Sequence, residues 1–257
     1  MAGGARAQRI VTALAAWAAV LLGVVARPAS AEPFSHAALD TVLARVLREG
    51  RVDYRALAKD HADLERYLGA VAAAHPDPWP REEQIAFWVN AYNARVLDGV
   101  IRRPGLKSVL DVRKVLGVPT LGFFREQRVT AGARRSLDDI EHRILRARFA
   151  EPRVHFVLNC ASVSCPVLPE RALTAATLEP DLESATRRFL ADSTRNRMDA
   201  DGTLRVSMIF KWYAKDFQAD AGSVGEFIQQ HWPGREPLPS SPREGYLKYD
   251  WALNGDW

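Results

Sequence analysis

Apolar positions along this chain recur mostly at helical spacing, interrupted by one long stretch that does not follow it. Leu39, Val42, Leu43, Val46 and Leu47 share one face and predict a helix over residues 34–48, with Ser35 as N-cap and Gly50 as stop. After Val52-Asp53-Tyr54 the pattern returns in Leu64, Tyr67, Leu68 and Val71, a second helix over 62–74. The connector His75-Pro76-Asp77-Pro78-Trp79-Pro80 cannot be helical throughout, because proline lacks the amide donor and restrains the residue before it. Residues 81–103 carry apolar side chains on nearly every face, Phe87, Trp88, Tyr92 and Val96 among them, and predict a central buried helix. Its acids come first and its arginines last, as the helix dipole favours.

A short helical patch over 108–116 is broken by Gly117 and Pro119, and a hairpin follows over 124–135 with Ala131-Gly132 at its turn. Ser136-Leu137-Asp138-Asp139 has the form of a capping box with Asp in place of Glu. The helix it opens places Leu137, Ile140, Ile144 and Leu145 on one side and His142 off that stripe. Further on come an amphipathic helix over 177–192 and a hairpin turning at Asp201-Gly202. A dense aromatic group over 208–217, a last helix over 222–232, a Pro- and Ser-rich loop over 233–242 and a short strand in the tail complete the chain. There is no internal repeat. Helices outnumber strands, so the fold class expected is α+β: a single helix-rich domain over residues 32–257, with a small sheet packed around the 81–103 helix.

The exception is VHFVLNCASVSCPVL, residues 154–168. A continuous apolar run predicts a buried strand over 154–158 that packs against the central helix and the His142 helix. It breaks at Asn159, and the only two cysteines, Cys160 and Cys165, lie in a small-residue turn closed by Pro166. A strand exit of that kind is where a functional loop is expected.

Charge alters this picture little, but the N-terminus alters it considerably. Arg6 and Arg9 precede an apolar run over 10–26, and Ala29-Ser30-Ala31 supplies a small-residue cleavage site. This is the grammar of a secretory signal peptide from Met1 to Ala31, and the expected localisation is export, to the periplasm. The full chain has 35 basic and 31 acidic residues; Arg6, Arg9 and Arg27 leave with the signal and no acid does, which leaves 32 against 31. A near-neutral mature chain with no basic block gives no support to nucleic-acid binding, and no membrane span is expected after cleavage. Export puts both cysteines in an oxidising compartment, where a bridge and a protected thiol are both open.

The candidate chemistry centres on those cysteines. A thiol nucleophile at Cys160 needs a base or a cation to ionise near neutral pH, and His142 is the expected partner. His155 begins the predicted strand, roughly 17 Å from Cys160 if the segment is extended, too far for direct activation. Asn90 and Asn93, one turn apart on the buried helix, fit either the third role of a triad or the plainer one of pinning neighbouring loops. The competing reading is a Cys160–Cys165 disulfide, whose small loop stabilises by only about 2 kcal/mol. A redox pair and a metal site of His142, Cys160 and Cys165 lack their usual spacings. Asp138, Asp139 and Glu141 read as acid/base carboxylates or as a capped helix start. Phe210, Trp212, Tyr213 and Phe217 read as core or as a ligand groove. There is no GxSxG elbow, phosphate loop or GxGxxG run, and no cofactor is implied.

Five blocks recur together in known order: AFWVNAYNARVL (86–97), SLDDIEHRILR (136–146), HFVLNCASVSCPVL (155–168), SMIFKWYAKDF (207–217) and YDWALN (249–254). From about Val52 to the C-terminus they resemble bacterial members of the family called domain of unknown function 547. The resemblance implies kinship and no particular activity. Two functions stay open: a thiol-dependent hydrolase or acyl transferase using Cys160, His142 and Asn90 or Asn93, and a non-catalytic envelope binding or scaffolding protein with Cys160 and Cys165 bridged. In either case the expected partner is a small molecule or peptide that the chain does not name.

Overall fold

The long apolar segment forms a 21-residue helix, Arg81–Ile101, buried without interruption from Gln84 through Ala94. The computed structural model describes residues 32–112, 121–234 and 243–257, and residues 33–257 pack as one unit. The expected signal peptide, the end of the 108–116 patch with Gly117 and Pro119, and most of the 233–242 loop lie outside the described residues. As the periodicity predicts, the chain is α+β and rich in helix. Its strands form three small sheets among the described residues.

The N-terminal third is α1 (Ala37–Val46), β1 (Leu47–Arg48), β2 (Arg51–Asp53), α2 (Tyr54–Lys59), α3 (Ala62–Ala73) and the central helix, α4. Asp53 caps α2 by accepting from Ala56 N at 2.8 Å, the Asx device that starts a short helix directly after a strand. α2 and α3 pack on α4. A Ser108-capped 3-10 turn, Val109–Asp111, is the described part of the next patch.

α5 (Leu121–Glu126) takes the place of the first predicted hairpin residues, and the hairpin follows as β3 (Arg128–Ala131) and β4 (Ala133–Ser136). Gly132 supplies its left-handed turn residue at φ 69°. The capping box forms in full: Ser136 Oγ accepts from Asp139 N, and Asp139 accepts from Ser136 N, each at 3.0 Å. The helix it opens is α for one turn only, α6 (Leu137–Asp139), and then widens to a π-helix over Ile140–Arg146. π segments are rare and concentrate at functional sites.

α7 (Leu178–Ala191) and the β5–β6 hairpin (Arg197–Met198 and Thr203–Val206) follow as predicted; the aromatic group over 208–217 folds into two short helices, α8 (Met208–Trp212) and α9 (Ala214–Ala221), and α10 (Val224–His231) is the predicted last helix. β7 (Arg243–Tyr246) adds to β6 in parallel, and β8 (Gly255–Asp256) adds to β2 in parallel. Gly255 is required there, since a Cβ would sit 2.0 Å from Val52 O. Phe156, Phe210, Phe217 and Phe227 form one aromatic cluster, with centroids 4.7–6.1 Å apart. Two of the four candidate aromatics of the 208–217 block are thus core.

The predicted strand over 154–158 does not form. Pro152–Phe156 is a 3-10 turn opened by Glu151, which accepts from Arg153 N, and 157–168 is irregular apart from one bridge, Ser162 to Leu253. Burial is as expected, with Val154, Phe156, Val157 and Leu158 in the core. An apolar run predicts burial, but a strand also needs a partner ladder. Here the backbone groups are satisfied by side-chain amides and by the tail. Asn93 donates to Val157 O at 2.8 Å and accepts from Asn159 N at 2.9 Å. Val163, Ser164 and Asn254 exchange backbone bonds with the facing segment, Val163 N to Ala252 O at 2.8 Å being the shortest. The tail is likewise irregular between β7 and β8, because it is spent on holding this loop.

Candidate functional site: a thiol on an aromatic cavity

The loop that replaces the strand is held from below by amides. Asn159 Oδ1 accepts from Ala161 N at 2.8 Å and from Asn254 Nδ2 at 3.1 Å, and its Nδ2 donates to Pro166 O at 2.7 Å. Tyr54 donates to Asn254 Oδ1 at 2.7 Å. Arg195 clamps the far side through Val163 O and Cys165 O. So fixed, the chain turns sharply after Cys160: Ala161 has φ 59°, a left-handed conformation that costs a residue with a Cβ about 1–2 kcal/mol. Strain of this kind persists only where neighbours over-determine it, and it gathers at active sites.

The turn brings Cys160 to the wall of a cavity of about 430 Å³. Cys160 Sγ lies 3.0 Å from Ser162 Oγ and 3.2 Å from Tyr249 OH, and those two hydroxyls are 3.1 Å apart. Burial acts to raise the Cys160 pKa. Hydrogen bonds from the Cys165 thiol, from the Ser162 and Tyr249 hydroxyls and from the Ser162 backbone outweigh it, and hold the thiol below its ordinary value. Cys165 goes the other way: burial and the neighbouring Cys160 push it well up, so it stays a thiol, while its sulfur accepts from Cys160 N at 2.8 Å. Burial and the two cysteines keep Tyr249 protonated and therefore a donor.

Both cysteines are free. This corrects the expected Cys160–Cys165 disulfide: the two sulfurs serve as hydrogen-bond partners in one turn, with no covalent bond between them. Among the described residues no cluster of three or more His, Cys, Asp or Glu is placed to hold a metal ion.

His142 does line the cavity, on the π-helix, but no hydrogen bond joins it to Cys160. Its Nδ1 accepts from Arg146 at 2.8 Å, which puts its proton on Nε2, 3.6 Å from Asp138. Asn90 and Asn93 do not reach the cavity. Asn90 is spent on Leu173, donating to its carbonyl at 2.8 Å and accepting from its amide at 3.0 Å, and Asn93 on Val157 and Asn159. Both pin loops, the plainer of the two readings offered for them.

Two groups that the sequence argument set aside are at the cavity instead. His155 lines it, because the 3-10 turn contracts the path that an extended strand would have lengthened. Its Nε2 donates to Asp216 Oδ2 at 2.8 Å, its ring stacks on Tyr213 at 3.9 Å, and its Nδ1 makes no hydrogen bond among the described residues. Asp216 resists the upward effect of burial through hydrogen bonds from His155 and Arg146, which hold it well below the usual carboxylate range. Glu141, also on the π-helix, accepts from Tyr213 OH at 2.5 Å and Tyr92 OH at 3.2 Å. Burial and that carboxylate raise both phenols, so they remain donors. Asp216 and Tyr249 lie in family blocks quoted from the sequence, yet neither stood out, since an Asp on an amphipathic helix and a Tyr in a tail are ordinary residues.

Fold and site together define a helix-rich α+β protein with a hydrogen-bonded thiol on an aromatic cavity. Residues 76–190 match the family described as "Protein of unknown function, DUF547". The matched span holds three of the five blocks; those with Tyr213, Asp216 and Tyr249 lie beyond it. No curated protein and no solved structure matches the chain.

Proposed function

We propose that the protein is a cysteine-dependent acyl hydrolase or transferase, with Cys160 as nucleophile and His155, oriented by Asp216, as proton carrier. One observation carries the reading: a cysteine at a strained bend, on a cavity wall, is surrounded by donors that favour its anion. The expected partner His142 is replaced in this role by His155. A carboxylate holds the His155 ring, and its second nitrogen has no hydrogen bond among the described residues, the arrangement general-base chemistry needs. Catalytic hydrogen bonds often tighten only when substrate is bound.

The proton of the Cys160 thiol passes to His155 Nδ1, and the sulfur attacks the carbonyl carbon of an ester or amide. Collapse of the tetrahedral adduct expels the alcohol or amine, which takes that proton from His155 and leaves an acyl thioester on Cys160. Water or an acceptor amine then attacks, gives its proton to His155 and releases Cys160 as thiolate. Ser162 and Tyr249 hydroxyls stabilise the sulfur anion at both ends of the cycle.

The test is covalent. At pH 7 iodoacetamide should alkylate Cys160 ahead of Cys165, and p-nitrophenyl acetate should give a burst of one product equivalent with the acetyl group on Cys160. His155→Gln should keep the alkylation and lose turnover of the acetyl-enzyme. A Cys160 that resists iodoacetamide below pH 9 would rule the reading out and leave a non-covalent binding protein. We also propose export with removal of residues 1–31, supported by the charged, apolar and small-residue sequence of that segment. A mature protein whose mass begins at Glu32 supports this; retention of Met1–Ala31 in the cell envelope refutes it.

A further inference from the structure

The aromatic wall that adjoins Cys160 through Tyr249 has a composition that the acyl chemistry alone does not require. Trp212, Tyr249 and Trp251 form a mutually contacting set, with ring centroids 4.6–5.7 Å apart. Trp212 is 43% exposed, among the few large apolar side chains of the described residues left open to solvent. All three line the cavity. An indole exposed at the mouth of an apolar cavity costs solvation, and the neighbouring core has absorbed the other aromatics of its own block, Phe210 and Phe217.

The charge of the lining has one sign. Asp138 and Glu141 are its acidic members, the two histidines stand beside the thiols and phenols, and neither Lys nor Arg contributes to it. Two arginines on the helix that carries Glu141 and His142 are already committed. Arg146 forms a bidentate pair with Asp216 at 2.6 and 2.9 Å, and Arg143 faces Asp139 at 3.4 Å. Asp138 has His142 Nε2 at 3.6 Å as its neighbour. An anionic ligand would meet two carboxylates and no counter-charge. A cation meets carboxylates and the negative faces of several aromatic rings, both of which attract it.

From this cavity we infer that the substrate is a small molecule or side chain with an ammonium group on an apolar body. The ammonium sits between Asp138 and the Trp212 side of the wall, and the apolar body lies over the rings. Its acyl carbon then faces Cys160. This rests on the thiol reading above and names the substrate class for that same site. The cavity, about 430 Å³, suits a ligand of ordinary cofactor or drug size and no larger.

Three methanethiosulfonates test it on the full chain: a trimethylammonium-ethyl, an uncharged methyl and a sulfonatoethyl reagent. Each reacts by thiolate attack on the sulfenyl sulfur, which forms a mixed disulfide and expels methanesulfinate, so no other oxidant is needed. Rates at Cys160, located by peptide mass and divided by the rate of each reagent with free cysteine, should favour the cation over the anion by on the order of tenfold. Asp138→Asn should reduce that preference about three- to fivefold. Trp212→Ala, at an exposed position that folding tolerates, should reduce it independently. A cation-to-anion ratio near unity, or one above unity that Asp138→Asn and Trp212→Ala both leave unchanged, overturns the assignment while the thiol reading stands. A slow reaction with the uncharged reagent at pH 7 counts against the thiol reading itself.

Discussion

The two faces of the loop over residues 157–166 use the same residue types for opposite ends. On the inner face Asn93, Asn159, Asn254 and Tyr54 make a chain of hydrogen bonds in which every side-chain amide atom is spent on backbone, on the next amide or on the Tyr54 hydroxyl. On the cavity face Cys160, Ser162 and Tyr249 form a small triangle with capacity to spare, and the His155 Nδ1 has no hydrogen bond among the described residues. Closed networks fix a fold, and open ones can accept a proton or a substrate. The cysteines repeat the contrast at closer range. Both line the cavity, but Cys165, the more buried, is held as a neutral thiol, and Cys160 is eased toward its anion.

That contrast can be broken most severely from inside. Asn93→Ala leaves Val157 O and Asn159 N–H buried without partners, and should cost roughly 2–5 kcal/mol in urea unfolding. Cys160→Ala should leave that stability nearly unchanged while removing all covalent labelling at the site. If the two variants lose stability equally, the division into a structural and a chemical face is wrong.

Smaller effects refine it. Tyr249→Phe removes one donor to the Cys160 sulfur and should raise the thiol pKa, visible as slower alkylation at pH 7. Asp216 acts through pH. Its folded-state pKa is depressed, so its stabilisation is complete above about pH 4, the ordinary carboxylate value, and is lost as pH falls through the folded-state value. Asp216→Asn should therefore flatten the acid limb of the stability profile, with the thiol titration of Cys160 little moved. An unchanged acid limb would mean that His155 and Arg146 do not hold the carboxylate as described.

Local signals served well where a single element is its own evidence. The 81–103 segment could only be a buried helix, since nearly every face is apolar, and Ser136 with Asp139 announces a capping box four residues long. They failed where a long-range partner decides. The 154–158 run reads as a strand, but Asn93 occupies the carbonyl and amide that a neighbouring strand would have used. The 17 Å separation of His155 from Cys160 assumed that strand, and the 3-10 turn in its place leaves both residues lining one cavity.

Composition and periodicity thus determine that this chain buries a central helix, caps its helices where it does and carries Cys160 in an exceptional turn, because each of these depends on residues a few positions apart. That His155 joins His142 at the cavity and bonds Asp216, and that Tyr249 bonds Cys160, depend on contacts spanning 61 and 89 residues. Only chain folding brings such pairs within hydrogen-bond reach, and no local pattern encodes them.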